Sequence, residues 1–242
     1  MRSHSTMIGL GALNQLDTYL SPQEYTGMQA SLLQENLKNT RLLKGNVGMQ
    51  HLIRAHFGYS HPHADKGNFL SGMLEWSMAL MRHWQVAPHL MLLTGPQVGA
   101  HIGFVYSTRN GNNPAQARLS ADLGWAGAAI TDFRLWGKRL EARYQASLQL
   151  CGLMFSPQYG QSYYEIFSLG HSDHNVCFTS PFAAPCLDQL LTLDIPSGGG
   201  LLRLGLQGLI RQSHVNEIKT HEWSCALLVG YVKHFQLVKT SQ

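Results

Sequence analysis

A chain of 242 residues fits one domain, and only 13% of it is charged, about half the soluble norm of roughly 25%. Apolar residues stand at 44% and mean hydropathy at −0.12, so Gly, Ser, Gln, Asn and His replace the missing charge. The net charge of +4 comes without a Lys/Arg run interleaved with aromatics, which excludes nucleic-acid binding, and the longest charge-free stretch, 83–108, holds Pro88, Gly95, Pro96 and three His, which excludes a helical span.

From the N-terminus, residues 1–6 (MRSHST) have neither a basic n-region nor an apolar h-region. They read as a disordered or non-native start, and an exported chain would have lost its leader or begun further upstream. Strands are then expected at 5–15, 25–37, 46–58, 68–83, 89–106, 117–133, 138–155, 187–195, 201–212 and 218–236. The second of these is ambiguous, because 28–43 also reads as an amphipathic helix with Leu32, Leu33, Leu37 and Leu42 on one face.

The signal that carries the strands is two-residue alternation. Val47, Met49, Ile53, Ala55 and Phe57 oppose Asn46, Gln50, Arg54 and His56; Leu70, Leu74, Trp76, Met78 and Leu80 oppose Ser71, Glu75, Ser77 and His83. Val98, Ala100, Ile102 and Phe104 oppose Gln97, Gly99, His101 and Gly103, and Leu119, Ala121, Leu123 and Trp125 oppose Arg118, Ser120, Asp122 and Gly124. Within 139–150, Leu140, Ala142, Tyr144, Ala146, Leu148 and Leu150 alternate with Arg139, Glu141, Arg143, Gln145, Ser147 and Gln149. Leu202, Leu204, Leu206 and Ile210 oppose Arg203, Gly205, Gln207 and Arg211, and the outer set of the last strand is Trp223, Leu227, Val229, Tyr231 and Phe235. A strand puts such residues on opposite faces, where a helix would scatter them.

Parity does not say which face is inside. Length does: several runs reach a dozen residues or more, beyond the usual 5–6 or so and enough to cross a bilayer with about 9–11 tilted residues. Low charge and aromatics near the segment ends point the same way. The fold class expected is all-β: a closed, antiparallel, up-and-down transmembrane β-barrel of about ten strands, one domain over 1–242 with a C-terminal tail at 237–242. Links at 84–88, 134–137 and 196–200 are short and periplasmic; links at 16–24, 59–67, 107–116 and 156–186 are long and extracellular. A cytosolic protein is the alternative.

The segments 16–27 (LDTYLSPQEYTG), 109–117 (RNGNNPAQA), 154–167 (MFSPQYGQSYYEIF) and 173–176 (DHNV) resemble an uncharacterised outer-membrane family of the Bacteroidota, a domain of unknown function. The resemblance extends over nearly the whole chain and is most specific at Ser156, Pro157, Tyr159, Gly160, Tyr163 and Tyr164. It implies an exported barrel in the outer membrane and brings no reaction or ligand.

Inward-facing Arg54, Glu75, His101, Arg118, Asp122, Arg139, Glu141, Arg143, Arg203 and Arg211 are expected to fill a narrow lumen as a paired network, since unpaired charge there is costly. An arginine-biased pore is the functional alternative. His171, Ser172, Asp173 and His174 offer a base, a nucleophile and an acid in one loop, and His61, His63 and Asp65 offer ligands for a metal. Both clusters also read as polar surface turns, because triads usually assemble from distant segments. If the two loops met, a barrel-embedded hydrolase would follow.

Tyr159, Tyr163, Tyr164 and Phe167 suit stacking on a glycan or peptide, or folding the loop over the barrel mouth. Cys177 and Cys186 could pair under oxidising conditions or stay free; no CxxC spacing supports zinc. No cofactor is expected. The partners expected are outer-membrane lipid and a glycan, peptide or protein at the loops.

Overall fold

Alternation becomes a closed sheet. The structure, a computed structural model, describes residues 2–63, 67–111 and 113–235. Its strands are β1 (Arg2–Asp17), β2 (Ser21–Asn39), β3 (Val47–Pro62), β4 (Phe69–Ala87), β5 (Leu90–Ser107), β6 (Ala115–Leu135), β7 (Lys138–Phe155), β8 (Val176–Thr179), β9 (Cys186–Ser197), β10 (Gly200–Val215) and β11 (Ile218–Phe235). Ten of them form an antiparallel barrel in chain order, closed by β1 on β11 from Arg2↔Phe235 to Asp17↔Thr220. Closure leaves no barrel edge unpaired. The eleventh, β8, pairs only with the top of β7, at Gly152–Phe155, beyond the stretch of β7 that carries β9.

Several expectations change in detail. Residues 3–6 lie within β1, where Ser5 is buried and accepts a hydrogen bond from Arg203. The expected 16–24 loop is a three-residue turn at 18–20, because β1 and β2 run on beyond the bilayer and pair up to Asp17↔Ser21. The helix alternative at 28–43 fails: β2 alternates there, with Leu33 and Glu35 buried and Leu32 exposed. A helix would have left the edges of β1 and β3 without partners. Asp65, the tail 237–242 and the Phe235 side chain lie outside the described residues.

The burial pattern is inverted relative to a soluble barrel. Ile8, Leu10, Leu74, Trp76, Leu123, Trp125, Leu148, Leu204, Leu227 and Val229 are exposed, whereas Glu35, Arg54, Glu75, Arg143, Asp194 and Arg203 are buried. Only a hydrocarbon surrounding makes that arrangement favourable, and the molecule is a transmembrane β-barrel. The interior is layered. Met7, Leu33, Leu52, Leu190 and Leu228 form an apolar septum in mid-barrel. Leu20, Tyr25, Phe69 and Val105 close the loop end, with the Tyr25 and Phe69 rings stacked 3.6 Å apart.

Candidate functional site

Two charged clusters lie on either side of the septum. Towards the end that carries the termini, Glu35 of β2 accepts from Arg143 Nη1 (2.7 Å, β7), Arg203 Nη1 (2.7 Å, β10) and Gln50 Nε2 (2.5 Å, β3). Arg203 also forms a two-pronged pair with Asp194 of β9, at 2.6 and 2.7 Å. One carboxylate therefore ties strands from opposite walls across the lumen. Charge-assisted bonds of this length, shielded from water by the apolar septum, are stronger than surface pairs.

Towards the loop end, Glu75 of β4 accepts from Arg54 (2.8 Å) and Arg211 (3.0 Å), and Arg54 reaches Asp188 of β9 at 2.8 Å. Two histidine–carboxylate pairs flank it: His56 Nε2 lies 3.0 Å from Glu222, and His101 Nε2 lies 2.6 Å from Asp122. Both Nδ1 atoms are 4.0 Å from Glu75. Gly99 makes room for the second pair, since a Cβ there would sit 2.9 Å from both Asp122 oxygens. Above, Arg118 donates to Asp17 at 2.8 Å. A cavity of about 60 Å³ under the loops is bordered by His101, Arg118, Arg211 and Glu222, room for a few waters.

Seven of the nine charged residues assigned to the lumen are thus inside it and paired. Arg139 and Glu141 are not inside it: both are exposed at the rim, where Arg139 bonds Asp132 at 3.1 Å. The alternation places them on the inward row, but Glu141 is the last rung that β7 shares with β9, opposite Asp194, and Arg139 lies past it. The lining is also not arginine-biased. Among the described residues Arg54, Arg118, Arg143, Arg203 and Arg211 pair with Asp17, Glu35, Glu75, Asp188 and Asp194, and His56 and His101 pair with Glu222 and Asp122. Glu35 escaped sequence reasoning because its segment was ambiguous, and Asp17 because it fell in an expected loop. Parity along 187–195 and 218–236 would have found Asp188, Asp194 and Glu222.

The 156–186 connection is an ordered cap. Helix α1 (Tyr163–Phe167) starts on a capping box, in which Ser162 Oγ accepts from Glu165 N and the Glu165 carboxylate accepts from Ser162 N. Asn175 donates to Ser156 O and Gln161 Oε1, and Asn216 of the β10–β11 turn donates to Ser156 O and His174 O. Tyr163 Oη accepts from Ala117 N, and Tyr19 Oη donates to Gln161 O. Burial, then the Tyr163, Asp17 and Glu165 charges, push the Tyr19 phenol up to about 12, so it stays a donor. Tyr163 is thus inside the cap, while Tyr159, Tyr164 and Phe167 are exposed on it.

The loop His clusters lie at the surface. His171, Ser172, Asp173 and His174 are exposed, and His171, Asp173 and His174 accept hydrogen bonds through main-chain oxygens. His61 and His63 are exposed on the β3–β4 side. Among the described residues no group of three or more His, Cys, Asp or Glu is placed to hold a metal. Cys177 and Cys186 are free thiols; Cys186 is buried at the start of β9, and Cys177 donates to His174 O.

Residues 2–242 match a family described as "Protein of unknown function (DUF3316)". The chain belongs to the DUF3316 family. No curated protein matches this DUF3316 member significantly. Among solved structures it is similar to the outer-membrane protease OmpT of Escherichia coli (TM-score 0.48, 7% identity, 96% of this chain and 97% of that one). It is also similar to the transport unit of the autotransporter AIDA-I of Escherichia coli (0.44, 10% identity, 95% and 90%). A third is the translocator domain of the autotransporter NalP of Neisseria meningitidis (0.40, 8% identity, 97% and 88%). Likenesses at this level say nothing of the activity of a DUF3316 barrel.

Proposed function

We propose that this protein is an integral outer-membrane barrel that works without catalysis, a non-conducting wall whose ordered cap offers a binding surface to a glycan, peptide or protein. The location follows from the fold, since closed transmembrane β-barrels of this length are outer-membrane structures. The observation that carries the rest is Glu35, which joins β2 to β3, β7 and β10 through the lumen and occupies the path a solute would need. The cap then becomes the part with something left to do. Its backbone is fixed by Asn175, Asn216 and the capping box, while Tyr159, Tyr164 and Phe167 stay exposed, and ordered aromatics bind at low entropic cost.

The test is the full chain reconstituted in lipid. Planar-bilayer recordings should show no single-channel steps, and proteoliposomes should retain members of a glycan or peptide panel. Tyr164→Ser with Phe167→Ser should abolish that retention without changing the folded band on a gel. Regular conductance steps from the unmodified chain would overturn the closed-wall reading, and retention indifferent to the double variant would overturn the cap.

A further inference from the structure

The two ends of the barrel carry opposite charge. Around the rim that holds the termini, Lys38, Arg41 and Lys44 flank the β2–β3 turn, Arg82 precedes the β4–β5 turn, Arg134, Lys138 and Arg139 flank the β6–β7 turn, and Lys233 lies on β11; all are exposed. The acids beside them are Glu141 and Asp132, the latter engaged by Arg139 and His89. At the loop end, Glu24, Glu165, Asp173 and Glu217 outnumber Arg109 and Lys219 among the described residues.

Position matters as much as number. On β11 the outward row runs Leu227, Val229, Tyr231 and then Lys233; on β4 it runs Leu74, Trp76, Met78, Leu80 and then Arg82; on β2 it ends in Lys38. Lys233 stands on the lipid-facing row one step past the apolar residues, Arg82 stands between Leu80 and Trp84, and Lys38 follows Gln34 and Asn36. Near the end of a belt a long side chain lays its stem on hydrocarbon and its charge among headgroups. Arg82 lies 5.3 Å over the Trp84 ring, on the same row. The turns repeat the pairing of charge with exposed apolar surface: Leu42 and Leu43 beside Arg41 and Lys44, and Trp136, 90% exposed, between Arg134 and Lys138.

We propose that this rim is a binding surface for anionic phospholipid headgroups, gripped by Lys38, Arg82 and Lys233 on the wall and by the cationic, Trp- and Leu-bearing turns below it. Charge complementarity selects the partner: a cation near a charged leaflet favours anionic over neutral lipid roughly fivefold, whereas the loop end, with its acidic excess, has no such preference. The same rim then sets the depth of the barrel in the leaflet on the side of the termini.

The experiment reconstitutes the full chain in vesicles of equimolar phosphatidylglycerol and phosphatidylcholine, extracts it in a nonionic detergent, and measures retained lipid by mass spectrometry. The unmodified chain should retain phosphatidylglycerol at least roughly fivefold over phosphatidylcholine, with the preference falling as salt rises. Lys38→Gln with Arg82→Gln and Lys233→Gln should bring the ratio near one, and Lys219→Gln with Arg109→Gln should leave it unchanged. Should the triple variant lose its folded gel band, Arg134→Gln with Lys138→Gln, on a turn outside the wall, should still lower the ratio at least twofold. Equal retention of the two lipids by the unmodified chain overturns the proposal. A preference untouched by the rim variants, or lost equally in the loop-end variant, does so too.

Discussion

At the scale of single residues, each lumen carboxylate is worth most where it holds several partners. Glu35→Ala would leave Arg143 without a carboxylate partner in the barrel, while Arg203 keeps Asp194, and leaving a buried charge without its partner costs about 3–5 kcal/mol. Urea unfolding in detergent should register that loss, while Glu141→Ala at the exposed rim should stay within about 0.5 kcal/mol. The His56–Glu222 pair offers a cleaner measurement. His56→Gln and Glu222→Gln should each destabilise, and the double variant should cost less than their sum, with a coupling of about 1–3 kcal/mol. Strict additivity would mean that the 3.0 Å approach carries no energy. On the outer face, Leu148→Arg should cost about 2–4 kcal/mol, and Gln149→Arg, on the inward row, much less; Leu148 is exposed while Gln149 donates to Thr179.

At the scale of elements, turn chemistry and capping decide how the loops sit. The β10–β11 turn puts Asn216 and Glu217 at φ of 52° and 63°, the left-handed pair of a type I′ hairpin. Glutamate is a poor choice there, so Glu217→Gly should raise stability by about 1 kcal/mol, read as a later unfolding midpoint. The α1 capping box gives the cap a pH dependence. Hydrogen bonds from Ser162 hold the Glu165 carboxyl below its ordinary value. A depressed carboxylate stabilises the folded form above the unfolded value of roughly 4.3, and that contribution is lost as pH falls through the folded value. Amide exchange of 162–168 should therefore accelerate, relative to the barrel strands, below about pH 4. Unchanged protection at pH 3 would show that the box does not hold the helix.

At the scale of the whole molecule, ten long strands closed on themselves, with the polar groups inside, predict an extreme response to detergent. The full chain should fractionate with the outer membrane and migrate faster on a gel unboiled than boiled; a soluble protein with no shift contradicts the fold. Most of that architecture was legible from period and length alone. Alternation fixes which residues share a face, because the strand repeat is two whatever the neighbours are, and it identified Arg54, Glu75, Arg118, Asp122, Arg143, Arg203 and Arg211 as one inward set. Strand length and low charge then chose the membrane. The tertiary structure alone decided where that set stops, leaving Arg139 and Glu141 at the rim, since parity continues to and past the last rung that β7 shares with β9, Glu141↔Asp194. It alone decided the pairings, because Glu35 finds Arg203, and Arg54 finds Asp188, across more than a hundred residues. It alone folded 156–186 into a cap, which rests on contacts with Tyr19, Ala117 and Asn216 that no local pattern encodes.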